Sequence, residues 1–230
     1  MSIMAEHDSF EPLRARILDA ALTEAPFDGW TAQMLERAAR KAGMSEAALS
    51  RGDLHLAFPE GVRDLLQYWS EREDAAMAEA FDALNPKPHG FTARITWLVR
   101  RRIEQLASHR EAARRAAATL ALPQNAELGA RLTWRTADRV WRAVGDSSTD
   151  FNHYTKRATL SAVYASTAAH WFADEGEGMP DPWQDSWDFL DRRIGNVMQF
   201  EKVKAQAQKA APDIGGLVSM LGRLRYGSGR

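Results

Sequence analysis

Apolar residues recur at spacings of three and four along nearly the whole chain, and no segment sustains an alternation of apolar and polar residues. Such spacing places side chains on one face of an α-helix, whereas a β-strand would need period-two alternation. The chain has 230 residues, of which 45% are hydrophobic, and this is enough to form a buried core. The sequence therefore predicts an all-α fold.

Proline residues suggest where some of these helices begin and end. Pro26 is expected to end the first helix, and residues 54–59 are expected to form a loop or a broken turn. Asp181 followed by Pro182 favours a helix start there, because aspartate caps helices well and proline suits the first helical position.

The segment Asn-Pro-Lys-Pro-His-Gly at residues 85–90 is the clearest internal boundary, because two prolines and a glycine interrupt any helix. Short helices are expected before it, with Thr31 and Ser45 suited to cap the second and third. We expect three parts: a helix-turn-helix-like region at 1–85, a C-terminal helical lipid-binding region at 86–204, and a tether with an amphipathic C-terminal helix at 205–230.

A polar hinge, Gly-Asp-Ser-Ser-Thr-Asp at residues 145–150, separates two further helical patterns. Apolar residues form one stripe on each side of it, from Trp134 to Val144 and from Leu160 to Trp171. A helix cap would account for Thr149 or Asp150. It would not account for the other polar residues at and after the hinge, which are Asp146, His153, Tyr154, Lys156 and Arg157.

Five short motifs match one known family. They are Trp-Arg-Thr-Ala-Asp at 134–138, residues 145–157, Phe-Leu-Asp-Arg-Arg at 189–193, Pro-Phe-Asp-Gly-Trp at 26–30 and Phe-Pro at 58–59. The chain resembles the Coq nine family, accessory lipid-binding proteins of ubiquinone biosynthesis, over most of residues 12–200. That family is understood to share the fold of TetR-type regulators. The resemblance implies a TetR-regulator-like helical bundle with an N-terminal helix-turn-helix and a larger C-terminal ligand-binding helical region.

Charge is segregated along the chain. Residues 1–86 hold 8 Lys and Arg against 16 Asp and Glu, whereas residues 87–145 hold 12 against 4. Duplex DNA binding depends on Lys and Arg contacts to phosphates, which the acidic N-terminal region cannot readily supply. The expected recognition helix, at 45–50, offers little besides Glu46 to contact a base edge. We therefore expect no nucleic-acid binding, and a TetR-type ligand-responsive transcriptional regulator is the alternative.

Residues that could support catalysis are sparse. The chain has no cysteine, and its six histidines are scattered. Asp150 and His153 have the spacing that di-iron helical bundles use twice, but only one copy is present. No phosphate loop, dinucleotide fingerprint or zinc-protease motif occurs. We expect a protein that is not an enzyme and has no metal or cofactor, and a hydroxylase in its own right is the remaining enzymatic alternative.

Eight tryptophans are a high number for this length, and several lie on inward faces of the C-terminal helices. They could fill a core or line a tunnel for an elongated apolar ligand. The resemblance favours the tunnel, because related proteins bind isoprenoid lipids, so the expected ligand is an isoprenoid quinone or another long-chain lipid. The expected lipid-binding residues are Trp97, Leu98, Trp134, Trp141, Leu160, Tyr164 and Trp171.

The resemblance also implies a partner, the di-iron hydroxylase that acts on demethoxyubiquinone, which family members contact near the hinge. Exposed tyrosine and arginine are typical of such interfaces. The implied function is a non-catalytic accessory protein that presents an isoprenoid quinone intermediate from the membrane to this hydroxylase. The expected partner-binding residues are Asp146, Asp150, His153, Tyr154, Lys156 and Arg157.

The C-terminal segment has apolar residues on one helical face and glycines on the other, which suggests docking on a membrane surface or on a neighbouring subunit. No apolar run is long enough to span a membrane, and residues 1–12 resemble no signal or transit peptide. We expect a cytoplasmic protein, peripherally associated with the inner membrane, that forms a homodimer. The expected membrane-binding residues are Ile214, Leu217, Val218, Leu221 and Leu224.

Overall fold

The computed structural model describes residues 2–147 and 151–210, with side chains described over 10–147 and 153–197. Within these ranges all regular secondary structure is helical, which confirms the predicted fold class. The α-helices of this part are α1 (Ser2–Asp28), α2 (Ala32–Lys41), α3 (Glu46–Arg51), α4 (Asp53–Ala57), α5 (Val62–Asp82), α6 (Phe91–Glu104), α7 (Arg110–Leu120), α8 (Ala126–Ala143), α9 (Phe151–Ala173) and α10 (Gln184–Ala210).

The helix-turn-helix is formed by α2 and α3, and its capping residues are those that the sequence predicts. Thr31 Oγ1 accepts the backbone N–H of Met34 at 3.1 Å, and Ser45 Oγ accepts that of Ala48 at 3.2 Å. Gly43 follows α2 with φ +94°, a conformation that glycine adopts without steric cost. The turn between the two helices is therefore fixed by local hydrogen bonds.

A tryptophan pair joins the N-terminal helices to the helices that follow. The Trp30 ring stacks on the Trp69 ring of α5 with 5.5 Å between centroids, and Trp30 Nε1 donates to the Ala112 carbonyl of α7 at 3.0 Å. α8 packs against both α5 and α9. This packing brings α5, α7, α8 and α9 together around one region of the core.

Contacts divide the chain into two compact units, the first reaching Leu190 and the second starting at Asp191. α10 begins in the first unit, and its residues from Asp191 to Ala210 belong to the second. The described residues of the expected tether, 205–210, are helical. The three-part division at 85 and 204 stays a prediction.

Two local expectations at the N-terminal end are wrong. α1 does not end at Pro26 but continues to Asp28, because the loss of one proline N–H is offset by burial of Ala25 and by the Gly29-to-Ala25 hydrogen bond at 3.0 Å. The expected loop or broken turn at 54–59 instead contains most of the short helix α4. Its end carries Phe58, which is 1% exposed, so apolar burial holds this turn against the core.

The predicted start of the last helix, at Asp181 and Pro182, is also wrong. α10 begins at Gln184, because Trp183 has φ +58° and breaks the helical path from Pro182. The cap comes instead from Asp174, which is distant in sequence. Its carboxylate accepts the Ser186 backbone N–H at 3.1 Å and the Ser186 hydroxyl at 2.6 Å.

Candidate functional site

A cavity of about 480 Å³ lies among α5, α6, α7, α8 and α9. This volume is within the range of small-molecule binding sites. Most of its lining side chains are apolar and many are small. The lining residues are Leu66, Trp69, Ser70, Glu73, Arg102, Leu106, Ala113, Ala116, Ala117, Leu120, Ala121, Ala126, Gly129, Ala130, Leu132, Thr133, Thr136, Tyr164, Ala165, Ala168, Ala169 and Phe172.

Alanines create this space. Nine of the lining residues are alanines, contributed by α7, α8 and α9 and by the turn after α7, where larger side chains would fill the gap between helices. Several of them are exposed and surround the mouth of the cavity, namely Ala117, Ala121, Ala126, Ala130, Ala165 and Ala169. An apolar ligand could therefore enter from the surface between these helices.

The opposite, buried end of the cavity carries a polar cluster. Arg102 Nε donates to Asp74 Oδ1 at 2.7 Å, and Thr136 Oγ1 donates to the same oxygen at 2.9 Å. The exposed fractions of Arg102, Asp74 and Thr136 are 3%, 7% and 2%. Removing a charge pair from water is costly, and hydrogen bonds such as the one from Thr136 offset part of that cost.

Electrostatics at this buried end keep Arg102 charged. Burial alone would lower the pKa of Arg102, but the negative charge that Tyr164 gains when it ionises at high pH and the carboxylate of Asp74 outweigh burial, and the pKa stays above its ordinary value. Burial raises the pKa of Tyr164, so its hydroxyl keeps its proton at neutral pH. The cavity thus holds a fixed cation beside a neutral phenol.

The sequence did not single out this polar cluster, although a signal exists. Arg102 belongs to the apolar stripe of α6, between Leu98 and Leu106, and Asp74 belongs to the buried face of α5. A charged residue on the inward face of each of two neighbouring helices suggests a buried ion pair. That Arg102 and Asp74 pair with each other can be seen only once the fold brings α5 and α6 together.

Of the seven expected lipid-binding residues, Tyr164 lines this cavity. Three others are buried in the core: Leu98 and Trp171 are 0% exposed, and Leu160 is 5% exposed. The remaining three are half-buried and make other contacts. Trp97 packs against Phe81, Trp134 packs against Tyr154, and Trp141 Nε1 donates to the Lys156 carbonyl.

The described part of the hinge begins with a tight turn after α8. Gly145 has φ +84°, its N–H donates to the Arg142 carbonyl at 2.9 Å, and the Asp146 N–H donates to the Trp141 carbonyl at 3.0 Å. This pair of bonds is the Schellman motif, which closes a helix C-terminus and requires a left-handed residue. The turn aims the Asp146 side chain toward α9.

An ion network then joins α8 to α9. Arg157 is 2% exposed, and its guanidinium donates to Asp138 Oδ1 at 2.6 Å and to Asp146 Oδ2 at 3.3 Å. Lys156 Nζ lies 2.7 Å from the other oxygen of Asp146, Oδ1, and 5.2 Å from the centre of the Trp141 ring. The network fixes the angle between the two helices.

The expected partner-binding residues therefore occupy different environments. Tyr154 is 62% exposed, with its ring 5.2 Å from the His153 ring, whereas Arg157 and Asp146 are buried in the ion network. Lys156 is partly exposed. Asp150 lies outside the described residues, as do the expected membrane-binding residues Ile214, Leu217, Val218, Leu221 and Leu224.

Cations of the helix-turn-helix are paired with neighbouring carboxylates. The nitrogen-to-oxygen distances are 2.5 Å for Arg37 and Asp28, 2.7 Å for Arg40 and Glu46, 2.9 Å for Lys41 and Glu24, and 2.8 Å for Arg51 and Asp53. This local neutralisation leaves little net positive charge to attract a phosphate backbone.

Metal clusters and membrane-spanning helices are two other features that the described residues could contain. No group of three or more His, Asp or Glu side chains among them is placed to hold a metal ion. None of the helices in this part is both long and apolar enough to cross a membrane.

Comparison with known proteins supports the resemblance seen in the motifs. Residues 126–201 match the COQ9 family. Over 208 residues the chain is 33% identical to ubiquinone biosynthesis protein COQ9, mitochondrial, of Rattus norvegicus and 32% identical to that of Homo sapiens. These alignments cover 88% of the chain, which spans only 64% and 63% of the lengths of the two relatives. The predicted resemblance to the COQ9 family is confirmed.

A solved structure supports the fold. The crystal structure of a TetR transcriptional regulator from Nitrosomonas europaea superimposes with a TM-score of 0.57, covering 82% of this chain and 99% of that one. The sequence identity is 22%, so the match concerns the fold alone. It confirms the predicted TetR-like architecture.

Proposed function

We propose that this chain, which carries the COQ9 family segment at residues 126–201, is a non-catalytic lipid-binding accessory protein of ubiquinone biosynthesis. The observation that supports this best is the cavity of about 480 Å³, with its apolar mouth of alanines and its buried polar end. The names of the relatives place those proteins in ubiquinone biosynthesis. The ligand would be an isoprenoid quinone or another long-chain lipid.

The physical need for such a protein follows from the cost of exposing a prenyl tail to water. Each exposed CH₂ group costs about 0.8 kcal/mol, so a long tail cannot diffuse freely between a membrane and an enzyme. A cavity that shelters part of the tail lowers this cost. The protein would present the quinone intermediate from a membrane surface to the di-iron demethoxyubiquinone hydroxylase.

The proposed docking surface for the hydroxylase is the exposed start of α9. Tyr154 is exposed there beside His153, and Lys156, two positions further along α9, is partly exposed. Arg157 and Asp146, whose side chains are buried, would contribute indirectly by holding α9 against α8. A rigid aromatic side chain on a fixed helix is the kind of residue that dominates protein interfaces.

Replacing an alanine at the cavity mouth with tryptophan tests the lipid-binding role. Ala169→Trp would place an indole in the mouth, so mass spectrometry of an organic extract should find much less copurified lipid than with the native chain. Ala162→Trp is the matched control, because Ala162 is also exposed on α9 but does not line the cavity. Equal lipid content in both variants, or none in the native chain, would contradict the proposal.

The alternative, a TetR-type ligand-responsive regulator, is supported by the fold match. The pairing of cations at the helix-turn-helix disfavours it. A gel shift at low salt separates the two, because phosphate contacts are strongest there. Tight, sequence-dependent retardation of duplex DNA would favour the regulator.

A further inference from the structure

The cavity is polar at one end and apolar at the other. Arg102 and Thr136 lie at the buried end, where each is no more than 3% exposed. Exposed alanines surround the mouth, among them Ala130, Ala165 and Ala169. A ligand that matches both ends has a polar group that enters first and an apolar chain that follows.

One donor group of Arg102 is left over at the buried end. Nε donates to Asp74 at 2.7 Å, and Nη2 lies 3.4 Å from Ser70 Oγ. Nη1 is buried and has no hydrogen-bond partner within the described part of the chain. A buried guanidinium N–H without a partner is costly, so a ligand that accepts a hydrogen bond there gains affinity.

Tyr164 lies beside this donor. The Arg102 guanidinium carbon is 5.8 Å from the centre of the Tyr164 ring, and both residues line the cavity. Because the Tyr164 phenol stays neutral at neutral pH, its hydroxyl can donate to the same acceptor. The two side chains thus supply two hydrogen-bond donors to the same cavity.

The charges around this donor pair select a neutral acceptor. The positive charge of Arg102 is matched by Asp74, and Glu73, which also lines the cavity, adds a second carboxylate. Glu73 accepts hydrogen bonds from Gln105 Nε2 at 2.8 Å and from Trp69 Nε1 at 3.1 Å, which hold its carboxylate in place beside the cavity. The local charge is one negative unit, so a phosphate or carboxylate would be repelled.

We propose that Arg102 Nη1, assisted by the Tyr164 hydroxyl, is the hydrogen-bond donor that anchors a neutral carbonyl-type oxygen on the head group of the lipid in this cavity. In this carrying state the head group lies at the buried end and the apolar chain runs toward the alanines of the mouth, so the lipid leaves the cavity through the mouth before the hydroxylase can act on the head group. This inference rests on the proposed lipid-binding function. It makes Arg102 a specificity-determining residue that distinguishes an oxygen-bearing lipid from a hydrocarbon of the same shape.

Matched probes test the anchor on the full chain. A short prenyl chain ending in a methyl ketone is compared with the same chain in which the carbonyl is reduced to methylene, and with one that ends in a carboxylate. The native protein should bind the ketone about tenfold more tightly than the hydrocarbon, as expected for a hydrogen bond from a charged donor. It should bind the carboxylate more weakly than the ketone.

Two variants assign the preference to Arg102. Arg102→Lys keeps a positive charge beside Asp74 but lacks the guanidinium nitrogen Nη1 that would bind the ligand. The preference for the ketone should therefore fall to about equal binding of ketone and hydrocarbon. Because a lone substitution at a buried pair can prevent folding, the double variant Arg102→Met with Asp74→Asn removes both charges together. It should give the same loss of preference while the hydrocarbon probe still binds.

The outcomes distinguish this inference from the proposed function. If the native chain binds ketone and hydrocarbon equally, or prefers the carboxylate, the anchor is wrong and lipid binding stands. If the variants keep the full ketone preference, another residue is the donor. If the native chain binds none of the probes, the proposed lipid-binding function itself fails.

Discussion

Arg157 holds the hinge together from inside the protein. Asp138 pairs with it at 2.6 Å and also pairs, at 2.6 Å, with Arg142 on the surface. The side chain of Arg157 is 2% exposed and that of Arg142 is 69% exposed, so the same carboxylate has one buried and one solvated partner. Removing a buried partner leaves an uncompensated charge, whereas an exposed pair contributes little.

This contrast predicts unequal losses of stability. Arg157→Leu should lower the free energy of unfolding by about 3 kcal/mol, because Asp138 and Asp146 lose their shared cation. Arg142→Leu, the matched control, should cost less than about 1 kcal/mol. Urea denaturation of the two variants measures the difference. Equal losses would mean that the hinge does not depend on the buried network.

Tyr154 is the residue on which hydroxylase docking most depends in our proposal. Tyr154→Ala should weaken binding to the di-iron hydroxylase at least about tenfold, because aromatic anchors dominate interface energies. Phe91→Ala is the control, since Phe91 is 56% exposed at the start of α6, away from the hinge, and Tyr154 is 62% exposed. Calorimetric titration measures both affinities. Unchanged binding by Tyr154→Ala would remove this residue from the docking surface.

Single residues also mark the limit of what the sequence could predict. Thr31 and Ser45 were predictable as caps because the groups that they bind lie three residues away. The environments of Arg157 and Arg102 were not predictable, because each depends on a carboxylate from another turn or another helix. Of the cavity lining, the sequence indicated Tyr164 but not the nine alanines, because small side chains create space only where the fold brings helices together.

At the level of elements, the presence of a helix was easier to predict than the residues at which it begins and ends. The apolar stripe of α9 was predicted, and Leu160, Val163 and Trp171 are buried in it. The start of α10 was not predicted correctly. Pro182 favours a helix start at its own position, but the cap is supplied by Asp174. Local sequence carries no signal for a carboxylate that reaches a helix end from 12 positions earlier.

The cap of α10 leads to a prediction about stability and pH. Asp174→Ala should lower the free energy of unfolding by about 1 kcal/mol, as for the loss of a helix cap, whereas Asp181→Ala should have little effect. Burial alone would raise the pKa of Asp174, but hydrogen bonds from Ser186 and Gly176 outweigh it and lower the pKa below 3.8. Its contribution is therefore complete above that ordinary value and is lost as the pH falls through the folded value.

Urea denaturation at neutral pH and again at acid pH measures this difference. The gap between Asp174→Ala and the native chain should close in acid, where the carboxyl group is protonated in both the folded and the unfolded chain. A larger loss from Asp181→Ala than from Asp174→Ala would mean that the helix is capped by the residue that the sequence suggested.

At the scale of the whole molecule, charge distinguishes the two functions considered for this TetR-like fold, which are DNA binding and lipid binding. The acidic balance of residues 1–86 and the paired cations of α2 and α3 support our prediction that the helix-turn-helix serves as a scaffold and does not bind DNA. The basic stretch at 87–145 instead includes α8, where Arg131 and Arg135 bind Gln67 and Glu71 of α5. We propose that the function of this chain depends on the cavity and the hinge and not on the helix-turn-helix. The expected homodimer stays a prediction, which sedimentation equilibrium would test.

Membrane attachment concerns the full chain, and we propose that it resides in residues 213–230, beyond the described part. The spacing of Leu217 and Leu221 predicts one apolar face, and Ser219 lies on the other. Leu221→Asp should abolish flotation with liposomes, because a carboxylate on the apolar face opposes insertion. Ser219→Asp adds the same charge to the polar face and should float like the native chain. Equal flotation of both variants, and of a chain lacking 213–230, would place the membrane contact elsewhere.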